Sequence, residues 1–580
     1  MTGVQTCALP IYSLMARLDR YIPVKEIAQI GAAIGREFSY ELIAAVAPRA
    51  KAELDDALER LTASGLAFRR GTTPEATYTF KHALVQDAAY DSLLKTRRQE
   101  LHRKIARVIE ERSPDKTNEP EVLAHHLTAA GLAEAAIPLW RTAGELSLKR
   151  MALTEAISHL NKGLELIIAL PGSVARDGHE LALRIPLGTA WQALRGWATP
   201  EVWNSLHPAL ALAKSLGRND ALLPILWGLT LNVVTQGRIA EAFQWVKETL
   251  ETAKATGDPN LSITGHVLAN TYYYFIGNPN EALYHHCEVL TLYDAERHGH
   301  LVKLLNHDPK TRTGAYASIC TWMLGYPEQA VRLSHATDEH ARSRAHPIDL
   351  GFALRMAAEL FDFRSEPREM RERADECERL GQDASLPVLW AIIARFARGV
   401  ALIREGKAAE GIGPLEAGLK YWDASGGSSH GVYLRAVLAE GMALSGDLDR
   451  AIELIAAQIA QIERPGWGER VYYAEILRLK GWMLSLKSDL EGAERNYLAS
   501  LDWAREQQAK SWELRTSTSL ARLWQAQGKR EEAYELLATI YGRFTEGFDT
   551  KDLKDAATLL GELAPGIHAP APFSIHATRV

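Results

Sequence analysis

The chain has 580 residues and a formal charge of −6, with 47% apolar and 24% charged residues, too long for one hydrophobic core, so several domains or a repeat array are expected. The negative balance argues against a general nucleic-acid binder and leaves only a local basic patch to consider. Four cysteines, Cys7, Cys287, Cys320 and Cys377, show no CxxC and no paired spacing; that gives neither a zinc nor a disulfide framework and fits a reducing, cytoplasmic compartment.

Residues 1–11, MTGVQTCALPI, lack the basic start and the apolar length of a signal peptide. They resemble the translation of a sequencing-adapter oligonucleotide, in which case the natural protein is expected to continue upstream of Tyr12. Residues 12–112 read as a region of their own. Helices are expected over 13–18 and 24–34, then over 40–46 with Ser39 as N-cap and Pro48 as terminator. Residues 51–64 form an amphipathic pattern with Leu54, Ala57, Leu58 and Leu61 on one face, closed by Gly65. The period then changes: 66–70 and 77–81 flank Gly-Thr-Thr-Pro-Glu, a β-hairpin signature. Helices follow over 82–94 and 100–111. Helices followed by a two-stranded hairpin are the parts of a winged helix. After a polar, proline-flanked linker at 113–120, helices are expected over 121–130, 134–149 and 153–169, with a break at 171–177. The longest nearly apolar stretch, 222–234, is too short to span a bilayer.

From there a spacing dominates. A small residue closes one helix and another small residue lies five positions on: Gly237/Ala242, Gly277/Ala282, Gly325/Ala330, Gly406/Gly411, Gly446/Ala451, Ser488/Ala493 and Gly528/Ala533. Starts lie about 40 residues apart, and the one double gap leaves room for a copy near Ser365. Glycine allows the tight turn between paired helices; the following alanine lets the two axes approach. Trp227, Trp245, residues 272–275, Trp322, Trp390, Trp482, Trp503 and Trp524 are expected to fill the core between pairs. Residues 121–541 are therefore read as an α-solenoid, and 542–580 as a terminal helix with a Pro- and Ala-rich tail. The fold class is mostly α: a winged-helix-like region followed by stacked helix hairpins, each burying its apolar face against its neighbours.

The small-residue spacing resembles a long-period tetratricopeptide repeat. The resemblance implies a right-handed superhelix whose concave face binds peptides or protein domains. A narrower resemblance lies in SLMARLDRYIPVKEIAQIGAAIGREFSYELI, TYTFKHALVQDAAYDSLL, RRQELHRKIARVIEE and EVLAHHLTAAGLAEAAIPLW. These look like the region after the ATPase core in large bacterial signalling proteins of the adenylate/guanylate cyclase or ATPase–tetratricopeptide type. That family combines a class III cyclase or other effector, a P-loop ATPase of the signal-transducing class, a winged helix and a helical-repeat tail. The chain would then be the sensor and scaffold part, docking intramolecularly onto an upstream ATPase and binding a protein partner.

No GxxxxGK[ST] occurs, so this chain lacks a phosphate cradle, and no cofactor, metal site or catalytic residue is expected. Related switch ATPases place a nucleotide-sensing histidine at the start of such a winged-helix segment. Phe80-Lys81-His82-Ala83 aligns by position, making His82 the implied sensor, with Ala83 departing from the acid of that motif. His125-His126, His285-His286, His298, His300 and His307 do not complete a metal site: adjacent helical residues point about 100° apart, and there is no HExxH. Asn306-His307-Asp308-Pro309 reads as a helix start. The basic run Lys95, Arg97, Arg98, Arg103, Lys104, Arg107 is interleaved with acids and reads as a solvated face or an intramolecular dock. No membrane contact is expected. Two alternatives stand beside the sensor reading: a DNA-binding transcription regulator of the same ATPase class, and a free-standing tetratricopeptide adaptor.

Overall fold

The structure is a computed structural model that describes residues 21–112, 119–305, 307–383, 387–424 and 426–564, without the side chains of 112, 383 and 387–392. The expected helix at 13–18, the linker residues 113–118 and the tail beyond 564 lie outside the described residues. The chain divides into two compact units that meet between Leu194 and Arg195.

The first unit begins α1 (Ile22–Ile34), β1 (Glu37–Ser39), α2 (Tyr40–Val46), α3 (Lys51–Ala63), β2 (Ala67–Arg70), β3 (Thr77–Phe80), α4 (Ala83–Asp91) and α5 (Lys95–Arg112). The Ser39 hydroxyl accepts the Leu42 N–H at 3.1 Å and starts α2, as its sequence position suggests. The hairpin forms with Arg70 opposite Thr77, and β1 adds as a third antiparallel strand in the order β1-β3-β2. β1 was not expected: three residues, only Phe38 of them buried, leave no alternation to read. Phe38 packs with Ile27, Ile43, Leu54, Leu58, Leu61, Tyr78 and Phe80 in one core. Four helices follow: α6 (Pro120–Ala129), α7 (Ala133–Lys149), α8 (Leu153–Ile168) and α9 (Val174–Arg195). The anticipated break narrows to the residues just before Val174.

The second unit is a stack of hairpins: α10 (Pro200–Ser215), α11 (Leu222–Thr235), α12 (Ile239–Thr256), α13 (Pro259–Ile276), α14 (Pro279–Leu292), the short α15 (Ala295–His298) and α16 (Leu301–Leu305), α17 (Pro309–Met323), α18 (Pro327–Arg344), α19 (Pro347–Phe363), α20 (Pro367–Asp383), α21 (Pro387–Arg404), α22 (Ala408–Ala424), α23 (Gly431–Leu444), α24 (Leu448–Glu463), α25 (Tyr473–Leu486), α26 (Leu490–Glu506), α27 (Lys510–Ala526), α28 (Arg530–Tyr541) and α29 (Lys551–Leu563). Every landmark of the sequence period is a turn with a left-handed backbone: Gly237, Gly277, Gly325, Gly406, Gly446 and Gly528, and also the non-glycine Ser365 (φ 58°) and Ser488 (φ 64°). The copy inferred near Ser365 is therefore present. Ala242, Ala282, Ala330, Ala451, Ala493 and Ala533 are fully buried where the paired helices cross. Of the aromatic residues expected in the core, Trp227, Trp245, Tyr274, Phe275 and Trp322 are buried. Tyr272, Tyr273, Trp482, Trp503 and Trp524 are half-buried, and the Trp390 side chain is not among those described.

The first helices of successive hairpins (α11, α13, α17, α19, α21, α23, α25, α27, then α29) pack on one another as an inner layer. The stack closes on itself. The carbonyls that end an α-helix lack intrahelical partners, and those of four consecutive inner helices are capped by chain from the far half. Thr235 O accepts from Ser428 N–H (2.9 Å) and Ser429 N–H (3.1 Å); Phe275 O accepts from Arg470 N–H (2.8 Å) and Val471 N–H (3.1 Å). Trp322 O accepts from the Ser511 hydroxyl at 2.5 Å, and Phe363 O from the Arg515 guanidinium.

Candidate functional site: the sealed interior

Closure explains an oddity of composition. From Thr311 to Met323, α17 is buried on every side although it carries Thr311, Arg312, Thr313, Ser318 and Thr321. Its hydroxyls turn back onto the helix: Thr313 donates to Pro309 O (2.9 Å), Ser318 to Ala315 O (2.8 Å) and Thr321 to Ala317 O (2.7 Å). These three hydroxyls are satisfied inside the helix, whereas Thr311 Oγ1 and Arg312 Nε are buried without a partner. Asp308 caps it, accepting from Lys310 N–H (2.9 Å) and Thr311 N–H (3.1 Å), so Asp308-Pro309 is the helix start that the sequence suggests, Asn306 lying outside the described residues.

Charged side chains converge inside the closed stack. On α19, Glu359 accepts from Tyr274 Oη (2.7 Å) and Tyr472 Oη (2.6 Å), with Arg355 Nη1 at 3.5 Å. Tyr472 also meets His430 Nδ1 at 2.7 Å, and His430 Nε2 lies 3.1 Å from Arg355. One turn on, Asp362 binds Arg404 Nε (2.7 Å) and Tyr433 Oη (2.6 Å), and Arg404 reaches Glu440 at 2.5 Å. Glu475 takes two 2.7 Å bonds from Arg478 and one of 3.3 Å from Arg515, which also binds Asp552 at 2.8 Å. Burial sets the charge states. It pushes the Glu469 carboxyl up to about 8 and lowers His430. Burial opposes ionisation of Glu475 as well, but Arg478 and Arg515 outweigh it and hold that carboxyl below its usual value. The two buried thiols are not activated: burial raises Cys320, and raises Cys377 to about 12. A cavity of about 60 Å³ opens beside this network, lined by Arg355, Glu359, Asp362, Phe396, His430 and Tyr433 among others. Such an arrangement fixes side chains rigidly and can recognise a small charged group.

The concave face is where a protein partner was expected; there the ends of α11, α13, α17 and α19 meet chain from the far half, and α17 is buried from Thr311 to Met323. Local sequence pattern does not reveal these caps, which join residues 152 to 196 positions apart. The outward helices keep open faces, with Phe243, Tyr284, Leu290 and Leu292 exposed on α12 and α14.

The remaining site residues are placed as follows. His82 is exposed at the N-cap of α4 and makes no capping hydrogen bond. Ala83 opens the helix behind it. His126 is buried with its Nδ1 2.8 Å from His102 Nδ1, and His102 Nε2 meets Tyr90 Oη at 2.9 Å. His285 pairs in the same way with His266 at 2.8 Å, and His286 Nδ1 meets Thr313 at 2.9 Å. Among the described residues no group of three or more His, Cys, Asp or Glu could hold a metal ion. In the basic run, Arg97 pairs with Glu100 and Arg98 with Asp91, while Arg103, Lys104 and Arg107 lie exposed on α5. No described helix is long and apolar enough to cross a membrane.

No protein-family model matches the chain. An uncharacterized protein of Rhizobium meliloti (strain 1021) is 25% identical over 347 residues, which is 58% of this chain and 33% of that protein. The chain thus spans about a third of the length of that relative. Among solved structures, a signal transduction ATPase with numerous domains carrying a tetratricopeptide repeat sensor, from Pyrococcus horikoshii, is 13% identical, covering 68% of this chain and 62% of its own, with a TM-score of 0.33. A Rap protein complexed with Competence and Sporulation Factor is 12% identical over 74% of this chain and 100% of its own, with a TM-score of 0.34. A monomeric mutant of IFIT1 with m7Gppp-AAAA is 12% identical over 74% of this chain and 90% of its own, with a TM-score of 0.37.

Proposed function

We propose that this chain is the regulatory, ligand- and protein-recognising part of a bacterial multidomain signalling protein, and that catalysis in the parent belongs to an upstream P-loop ATPase or class III cyclase-type effector. The observation that carries the reading is the hairpin array itself, with eight left-handed turns at the predicted spacing and a rigid, ion-paired interior. The order helix–strand–helix–helix–hairpin in residues 22–80, with its β1-β3-β2 sheet, supports a winged helix ahead of the repeats. Residues 12–112 would then be that winged-helix region, and His82, open to solvent behind the hairpin, the group that meets nucleotide in the parent. A protein partner is assigned to the outward helices, where apolar side chains stay exposed, and the signal passes by differential affinity for two arrangements of the parent.

DNA reading is disfavoured by charge. The recognition position of a winged helix falls on α3, which carries Glu53, Asp55, Asp56 and Glu59 against Lys51 and Arg60, four acids to two bases. The hairpin adds Arg69 and Arg70, but an acidic helix cannot lie against phosphates without a counterion cost. The test is the genomic DNA before the Tyr12 codon. An in-frame GxxxxGK[ST] supports the proposal; an in-frame stop codon close upstream refutes it in favour of the free-standing adaptor.

A further inference from the structure

The interior arginines are matched with carboxylates, with one exception. Arg355 faces Glu359, Arg404 faces Asp362 and Glu440, Arg478 faces Glu475, and Arg515 faces Glu475 and Asp552. Arg312 on α17 is only 5% exposed, its Nε–H has no acceptor, and no carboxylate among the described residues pairs with it. Rings surround it instead. Its Cζ lies 5.0 Å from the Phe352 centroid, 5.2 Å from Trp227 and 5.7 Å from Tyr316. The indole N–H of Trp227 is also buried without an acceptor. Asp349 makes no ion pair with it: Oδ1 accepts from Asp308 N–H at 3.0 Å, and Oδ2 is buried without a partner of its own. Burial also pushes that carboxyl up to about 7, so at neutral pH it neutralises Arg312 poorly. Across the Phe352 ring a second cation, Arg355, stacks at 5.9 Å.

An uncompensated guanidinium inside a protein is strongly destabilising, and so is an indole donor with nothing to bond. Both deficits lie in one aromatic cage, and both ask for the same thing: an acceptor bearing negative charge. We propose that the cage formed by Trp227, Arg312, Tyr316 and Phe352 is an oxyanion site, taking the carboxylate or phosphate group of a small molecule. The guanidinium offers a planar fork matched to either group, and the rings exclude water, which strengthens the pairing. The buried position of the cage shuts out a folded domain. The site lies away from the outward faces assigned to a protein partner and goes beyond that assignment.

The test is thermal unfolding of the full chain with inorganic phosphate or with sodium benzoate, each at about 10 mM and matched in ionic strength by sodium chloride. Wild type is expected to gain about 2 °C or more with at least one probe, phosphate identifying a phosphate source and benzoate a carboxylate source. Arg312→Met is expected to abolish the gain; phosphate also stabilises proteins by general exclusion, and that part survives the substitution. If Arg312→Met does not fold, Arg312→Lys takes its place: it keeps the charge but not the fork, and must reduce the gain several-fold. No gain in wild type beyond the sodium chloride control, or a gain unchanged in the variant, overturns the proposal.

Discussion

Replacing Gly237 by alanine tests whether the stack is closed. Gly237 and Gly528 adopt nearly the same left-handed backbone, φ 78° and 81°. An alanine at either position bears the same conformational strain, about 1–2 kcal/mol. Their surroundings differ. A Cβ on Gly528 meets nothing within 4 Å, whereas one on Gly237 would stand 2.5 Å from Cη2 of Trp467, a residue of the far half whose carbonyl accepts Ile239 N–H at 2.9 Å. Relieving that overlap means moving an indole or the closing loop, an overpacking cost of about 1–3 kcal/mol. Gly237→Ala should therefore lose about 2–5 kcal/mol and Gly528→Ala only about 1–2 kcal/mol. Urea unfolding followed by far-UV circular dichroism reads the difference, and Gly446→Ala, also in open space, serves as a second control. Equal midpoint losses for the Gly237 and Gly528 variants would mean that Trp467 does not sit on that turn, and the closed interior would be wrong.

Arg404→Met should be more damaging than its modest exposure suggests, because Asp362 and Glu440 lose their shared cation; the expected loss is about 3–5 kcal/mol by the same urea assay, while Asp362→Leu combined with Arg404→Met should recover part of it. The buried pair His102–His126 makes the first unit acid-sensitive: burial first, then neighbouring charge, lowers His102 to about 4 and His126 to about 3. These folded values lie below the unfolded one of about 6.5, so the unfolded chain binds more protons between about pH 6.5 and about pH 3, and stability that is full above that window falls as the pH drops through it. Urea midpoints at pH 7 and pH 5 measure the fall, and His126→Asn should flatten it. His82→Ala, at an exposed position without a capping bond, should change the stability of this chain by less than about 0.5 kcal/mol, leaving the variant usable for nucleotide-exchange measurements in the parent.

What the sequence conveyed follows from what repeats. The turns recur because each hairpin must reverse within a few residues, and even the weak copies at Ser365 and Ser488 betray themselves by spacing, although serine has no special tolerance for positive φ. α3 was legible because its buried residues recur with the helical period, and the hairpin because Gly-Thr-Thr-Pro-Glu marks its turn; of its two strands only β3 alternates in burial. α17 was not: Thr, Arg and Ser read as surface, and only closure makes them interior. The same holds for Glu359, Asp362 and Glu475, which look like solvated helix charges until the far half of the chain is laid over them. Local pattern reports the neighbours of a helix in sequence; it carries no trace of a contact such as Ser511 with Trp322.

Buried ion pairs contribute less to net stability than their geometry suggests, since apolar residues of the same volume often do as well. Their placement here points to register. Asp362 on α19 bonds Arg404 at the end of α21 and Tyr433 on α23, while Glu475 on α25 bonds Arg515 on α27. Each bond crosses between hairpins, and a helix that slips by one turn against its neighbour strands a charge in a dry interior. An open repeat array is held by nearest-neighbour terms alone. Closure adds a second kind of term, in which the ends of α11, α13, α17 and α19 depend on loops of the far half for their last carbonyl partners. An inner helix cannot then shift without disturbing a cap on the opposite side. Arg312 is set in one of these capped helices, so an anion drawn to it acts on α17 and, through Trp322, on the Ser511 closing contact as well.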